Sequence, residues 1–178
     1  RLVILSAGRL SEEKGFVKAI KAFAKLAEAF TKWDFVILGE GPERPILEQL
    51  ILNLGLQDRV HLTGRVGNLG IWYDRADVYL LSSRFEGFPN ALLEAMSHGL
   101  PAVSFDCDTG PSDLIQDGVN GYLITPSEGV SGLAKKLEVL MRDVGLREKI
   151  GDQARHVRNQ FSIESVGMKW EQVLGLPS

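Results

Sequence analysis

Residues 1–41 read RLVILSAGRLSEEKGFVKAIKAFAKLAEAFTKWDFVILGEG, and this stretch decides the fold class. Leu2–Ala7 and Phe35–Leu38 are short aliphatic runs of strand length. Between them Phe16, Ile20, Phe23, Ala27 and Phe30 recur in steps of four and three, which marks one face of an amphipathic helix. The strand runs are apolar almost throughout, as parallel strands covered on both faces must be.

Outward from there the unit repeats. Val60–Thr63, Val78–Leu81, Ala102–Phe105 and Gly121–Ile124 are further strand candidates. Ile46, Leu47, Leu50, Ile51 and Leu54 outline a second helix that Gly55 stops, and a third runs from Asn90 to Ser97, stopped by Gly99 and Pro101. From about Ser127 the pattern holds three helical stretches and no strand. Strand alternating with helix predicts an α/β fold, a Rossmann-like doubly wound parallel sheet with right-handed crossovers. No repeat or linker interrupts it, so residues 1–178 read as one domain.

Composition removes several classes. One cysteine among 178 residues, Cys107, excludes a disulfide scaffold. Apolar runs such as Val78–Leu81 fall far short of the ~18 residues of a membrane span. A formal charge of −3 disfavours a nucleic-acid partner, which draws on a positive surplus. The chain opens directly on strand residues with neither a starting Met nor a targeting stretch, and it reads as a piece of a longer protein.

Doubly wound sheets bind ligands beyond the C-terminal ends of their strands, so the junctions after each strand carry the chemistry. In Gly8-Arg9-Leu10-Ser11-Glu12-Glu13-Lys14-Gly15, Arg9 and Lys14 flank the entry to a helix and suit a diphosphate, although Lys14 also fits a solvated face with Lys18, Lys21 and Lys25. Neither a dinucleotide fingerprint nor a P-loop is present. Gly39-Glu40-Gly41-Pro42 is a tight turn whose glycines admit a flat ligand; in a dehydrogenase Glu40 would hold the ribose. The richest junction is Ser83-Arg84-Phe85-Glu86-Gly87-Phe88-Pro89-Asn90-Ala91-Leu92-Leu93-Glu94. A helix starting near Pro89 or Asn90 aims its free N–H groups at phosphate, and Glu94, one turn in, can accept from both hydroxyls of a ribose. Glu86, in the loop, is placed for a sugar. Both acids fit a plain surface role as well. Asp106-Cys107-Asp108 has the spacing of a divalent-ion site but equally that of a capped Gly-Pro loop. His61, His98 and His156 are not spaced for a metal and read as structural.

The run Gly8-Arg9…Lys14-Gly15, Gly39-x-Gly41, Val60…Gly64, Ala76-Asp77, Glu86-Gly87-Phe88-Pro89…Leu93-Glu94-Ala95-Met96…Gly99-Leu100-Pro101 resembles retaining glycosyltransferase family 4, the glycosyl transferases group 1, with seven residues between the two glutamates. The resemblance implies the C-terminal, donor-binding half of a GT-B fold, its N-terminal acceptor domain absent from this chain. It implies that Arg9 and Lys14 hold the diphosphate of a nucleotide-sugar and that Glu94 holds the ribose. Glu86, as the catalytic residue, and Gly87, Phe88, Pro89 and Asn90 would then contact the transferred sugar and phosphates, while Gly39, Gly41 and the chain around Arg65 line the base.

Members of this kind work without a bound metal or other cofactor, which further disfavours an ion at Asp106 and Asp108. The run Cys107 to Ile115 is similar to that of members building surface polysaccharides and lipid-linked oligosaccharides, many from UDP-sugars. Asp113 stands where the family often has Glu and receives no role. The implied partners are a nucleotide-sugar and a glycan or lipid-linked acceptor, in a cytoplasmic enzyme that is peripheral to the membrane through its other domain. Ile163 to Leu174 would cross onto that domain, leaving Val166, Trp170 and Val173 exposed here. The alternatives are a starch- or glycogen-synthase-like or sucrose-type transferase, a non-catalytic nucleotide-binding module, and a dehydrogenase using Glu40.

Overall fold

A computed structural model describes residues 1–175, the side chain of Lys169 excepted. Six strands, β1 (Leu2–Ala7), β2 (Trp33–Leu38), β3 (Val60–Gly64), β4 (Val78–Leu81), β5 (Ala102–Phe105) and β6 (Gly121–Ile124), form one parallel sheet in the order β3-β2-β1-β4-β5-β6. Helices α1 (Phe16–Ala27), α2 (Arg44–Asn53), α3 (Leu69–Arg75), α4 (Asn90–Ser97) and the short α5 (Pro111–Leu114) alternate with the strands. Four more follow: α6 (Gly129–Arg142), α7 (Val144–Ala154), α8 (Val157–Gln160) and α9 (Ile163–Leu174).

The apolar runs of the inner strands are explained by burial on both faces, whereas the edge strand β3 exposes His61 and Thr63. Along β1, Ile4 joins one core with Phe23 and Phe35, while its neighbour Leu5 joins the other with Tyr73, Tyr79 and Met96. Because successive side chains of a strand point to opposite faces, a run without polar residues is what two covered faces demand.

Several boundaries differ from the sequence reading. β2 begins at Trp33, since Asp34, which looks like loop, is buried and held by Arg1 and Arg59. α1 ends at Ala27, and Phe30 continues only as a turn through its N–H to the Leu26 carbonyl. The sequence reading has no counterpart for α3 or α5. Among the described residues the terminal third holds four helices rather than three, because the helical run is interrupted at Arg155–His156 between α7 and α8. Along α9, Val166, Trp170 and Val173 are exposed, as the resemblance implies, together with Ile163 and Met168.

The strand order places the topological switch between β1 and β4, whose crossovers run to opposite sides of the sheet. The crevice at their C-terminal ends is where this architecture receives ligands.

Candidate functional site

A cleft of about 730 Å³ opens at that crevice. Its walls are Ala7, Gly8 and Arg9 at the end of β1, Leu38 to Gly41 at the end of β2, Arg65, Val66 and Leu69 entering α3, and Ala91 in the first turn of α4. Of the residues singled out in the sequence, Arg9, Gly39, Gly41 and Arg65 therefore line one cavity. Lys14, Glu86 and Glu94 do not line it and form two groups of their own.

The glycines of the second junction are required by the backbone itself. Gly39 has φ +138, and a Cβ there would lie 1.9 Å from the Gly8 carbonyl oxygen; a Cβ on Gly41 would lie 2.3 Å from that of Leu10. The two loops cross at contact distance, with Leu10 N–H donating to the Glu40 carbonyl at 3.0 Å and Glu43 N–H to that of Leu10 at 2.9 Å. The glycines are thus explained by loop-on-loop packing, beyond which the cleft begins. Glu40 is also engaged. Arg44 donates to it at 2.9 Å, and this contact first, then the Gly41 N–H, hold its carboxyl below the ordinary value. An acid bound in this way is poorly free to receive a ribose, which counts against the dehydrogenase reading.

The second group lies after β4. Lys14 Nζ donates to Glu86 Oε1 at 2.7 Å, and Ser83 Oγ donates to the same oxygen at 2.6 Å. Glu86 is 7% exposed. A carboxylate so buried is tolerable because a cation and a hydroxyl answer one of its oxygens. Its backbone carbonyl accepts from Thr109 Oγ1, which ties the β5–α5 loop to the same point. Ser82 Oγ donates to the Lys14 carbonyl at 2.8 Å, and Arg84 N–H to that of Glu13 at 2.8 Å, so the β1 and β4 junctions are stitched together. Lys14 is accordingly no member of a solvated lysine face. Arg9 is exposed, and its guanidinium has no hydrogen-bond or ion-pair partner among the described residues.

α4 supplies the third group. Pro89 is buried just ahead of it and Asn90 is exposed at its first position. The Asn90 N–H turns back to the Phe88 carbonyl at 2.9 Å, whereas those of Gly87, Phe88 and Ala91 have no acceptor among the described residues. The open amides thus flank Asn90 instead of including it. The Phe88 ring packs on Phe161 at 5.5 Å. Glu94 is exposed, and Tyr73 Oη donates to its Oε2 at 3.1 Å. The sequence reading missed Tyr73 along with α3; Leu69, Trp72 and Tyr73, spaced by three and four, were its available signal.

Asp106 and Asp108 are exposed on either side of buried Cys107, whose thiol is pushed up by burial first and by Glu86 second. Among the described residues no three His, Cys, Asp or Glu side chains are grouped to hold a metal. His98 pairs with Asp74 through Nδ1 at 2.7 Å and packs on Tyr73.

The doubly wound, six-stranded parallel sheet with its cleft at the switch point is the Rossmann-like architecture of one half of a GT-B fold. Residues 1–157 match the family model for glycosyl transferases group 1, and the chain belongs to that family. A Campylobacter jejuni relative, a GalNAc-α-(1→4)-GalNAc-α-(1→3)-diNAcBac-PP-undecaprenol α-1,4-N-acetyl-D-galactosaminyltransferase, is 32% identical over 97% of this chain and 47% of its own. The chain thus spans about half the length of that relative, and 48% of a Haemophilus influenzae glycosyltransferase of the family. The pneumococcal O-GlcNAc transferase GtfA, solved with UDP and GlcNAc, superposes with TM-score 0.88 at 29% identity, over 98% of this chain and 35% of that one. The C-terminal domain of the group 1 glycosyl transferase LpcC from Francisella tularensis superposes with TM-score 0.81 at 26% identity, over 90% of this chain and 85% of that one.

Proposed function

We propose that the chain is the donor-binding, C-terminal half of a retaining hexosyltransferase that takes its sugar from a nucleotide diphosphate, UDP first among them. The observation that carries the proposal is the Lys14–Glu86 pair at the open end of β4, beside free amides and the Arg9-lined cleft. Arg9, Lys14 and the amides around Gly87 and Ala91 take up the charge of the diphosphate leaving group, the role preorganised cations and helix N-termini perform elsewhere. They do so without a bound metal or other cofactor. Glu86 contacts the transferred sugar, Glu94 the ribose, and the Gly39–Gly41 turn with Arg65 faces the base. Support comes from the UDP and GlcNAc in the structure of GtfA and from the lipid-linked substrate in the name of the Campylobacter relative.

The acceptor, a glycan or lipid-linked sugar, belongs to an N-terminal domain that completes the cleft. Crystallisation of the LpcC C-terminal domain supports a half that stands as a folding unit. Among the described residues no helix is long and apolar enough to cross a membrane. Contact with a lipid-linked acceptor belongs in this reading to the other half, at the inner face of the membrane. Alone, this chain binds nucleotide without turning over.

The test is sugar transfer by the chain joined to its acceptor half, with the anomeric configuration of the product read by proton NMR. Retention of the donor's configuration is expected; inversion, or transfer by this chain alone, overturns the proposal. A starch-synthase-like enzyme would favour ADP over UDP in competition, which separates that reading.

A further inference from the structure

Glu94 stands on the exposed flank of α4, and a carboxylate in that setting ordinarily moves among several rotamers. Here one oxygen is held. The Tyr73 hydroxyl donates to Oε2 at 3.1 Å, while Oε1 has no partner among the described residues. The hydroxyl comes from a ring that is only 2% exposed, packed edge-on against Tyr79 at 6.2 Å and against His98 at 5.4 Å. A buried phenol needs an acceptor, and Glu94 is the one that Tyr73 has. The ring contacts fix where the hydroxyl points, and the hydroxyl in turn fixes the carboxylate. Burial, and secondarily the neighbouring Tyr79 and Glu94, push the phenol above its ordinary range, so it stays a donor at neutral pH.

We propose that Tyr73 is a positioning residue for ribose recognition: it orients the Glu94 carboxylate so that Oε1 and the second lone pair of Oε2 face the two vicinal hydroxyls of a nucleotide ribose. The inference rests on the assignment of the ribose to Glu94 made above. It adds a residue on α3, which contributes to no strand end, and gives that short helix a part in nucleotide selection. Pre-setting a carboxylate in its bound geometry raises affinity by removing the ordering cost at the moment of binding.

The test compares UDP with 2′-deoxy-UDP by calorimetric titration of the unchanged chain, Tyr73→Phe, Glu94→Gln and the double variant. Phenylalanine retains the ring and its packing, so the comparison isolates the hydroxyl. Tyr73→Phe is expected to weaken UDP about threefold to tenfold, the net range of one ordinary hydrogen bond, and to weaken 2′-deoxy-UDP, which keeps one of the two hydroxyls, by less. In the Glu94→Gln background it should add nothing. Equal weakening of both nucleotides, or no change in either, overturns the role of Tyr73. If Glu94→Gln itself leaves the preference for ribose intact, the ribose assignment fails and this inference with it. A readout without substitution is the fluorine spectrum of the chain carrying 3-fluorotyrosine at its three tyrosines. One resonance should move with UDP and move less with 2′-deoxy-UDP, and identical responses to the two nucleotides contradict the proposal.

Discussion

Lys14 and Glu86, 72 positions apart, meet through Nζ and Oε1 at 2.7 Å, closing the β1 junction onto the β4 junction. The pair lies at the sheet's switch point, its side chains 25% and 8% exposed. It gives a buried acid its counter-ion and places a cation where a diphosphate would arrive.

Removing only the cation leaves a buried carboxylate answered by Ser83 alone. Lys14→Met should therefore destabilise the fold by about 1–3 kcal/mol, the penalty for a buried group left short of a partner. Lys14→Met with Glu86→Gln should cost less than the two single changes added together. Urea unfolding of the four proteins measures the coupling. Additive losses would show that the two side chains do not depend on each other.

Gly39→Ala forces a Cβ to within 1.9 Å of the Gly8 carbonyl at φ +138, so loss of more than about 2 kcal/mol is expected. Gly67, with open space around it, is the control. Gly67→Ala should leave the thermal midpoint nearly unchanged, and a similar drop in both proteins would refute the loop-crossing explanation.

Such a role for Gly39 marks where sequence reading stopped short. The six strands were legible almost to the residue, because two-sided burial writes itself as nearly unbroken apolar runs such as Leu2–Ala7, where Ser6 is the one polar residue. Polar residues inside elements hid the rest. Asp34 masked the start of β2, since its charge is acceptable only beside Arg1 and Arg59, which are distant in sequence. Glycine and charge at Gly70, Asp74 and Arg75 obscured the seven residues of α3, and with them the partner of Glu94. Candidate site residues were found by their place after strands. Their mutual contacts were not, because Lys14 meeting Glu86 or Tyr73 meeting Glu94 is a product of crossover geometry.

Acid stability should depend on Asp34. Burial opposes its charge, but hydrogen bonds from Arg1 and Arg59 outweigh that and hold its carboxyl below the ordinary 3.8. A depressed folded value means the stabilisation is present above the unfolded value and is lost as pH falls through the folded one. Asp34→Asn should accordingly show a stability deficit at pH 7 that shrinks below about pH 4, measured by unfolding midpoints. A deficit that is the same at pH 3 and pH 7 would remove the ion pair from the explanation.

Chelation should leave nucleotide binding unaffected. With Arg9 and Lys14 assigned to the diphosphate, UDP titrations with and without EDTA are expected to give the same affinity. Asp106→Asn with Asp108→Asn should match them. Binding abolished by EDTA and by the double variant alike would move the diphosphate to an ion held on the β5–α5 loop.

The most direct measurement is calorimetric titration of the chain with UDP, GDP, ADP and NAD, repeated with Arg9→Ala and Glu94→Ala. The account predicts saturable binding with UDP preferred, weakened by each substitution, Glu94→Ala costing about 1–3 kcal/mol through an unpaired ribose. Absence of nucleotide binding, or affinity that neither substitution alters, would contradict the assignment of this cleft to a nucleotide-sugar.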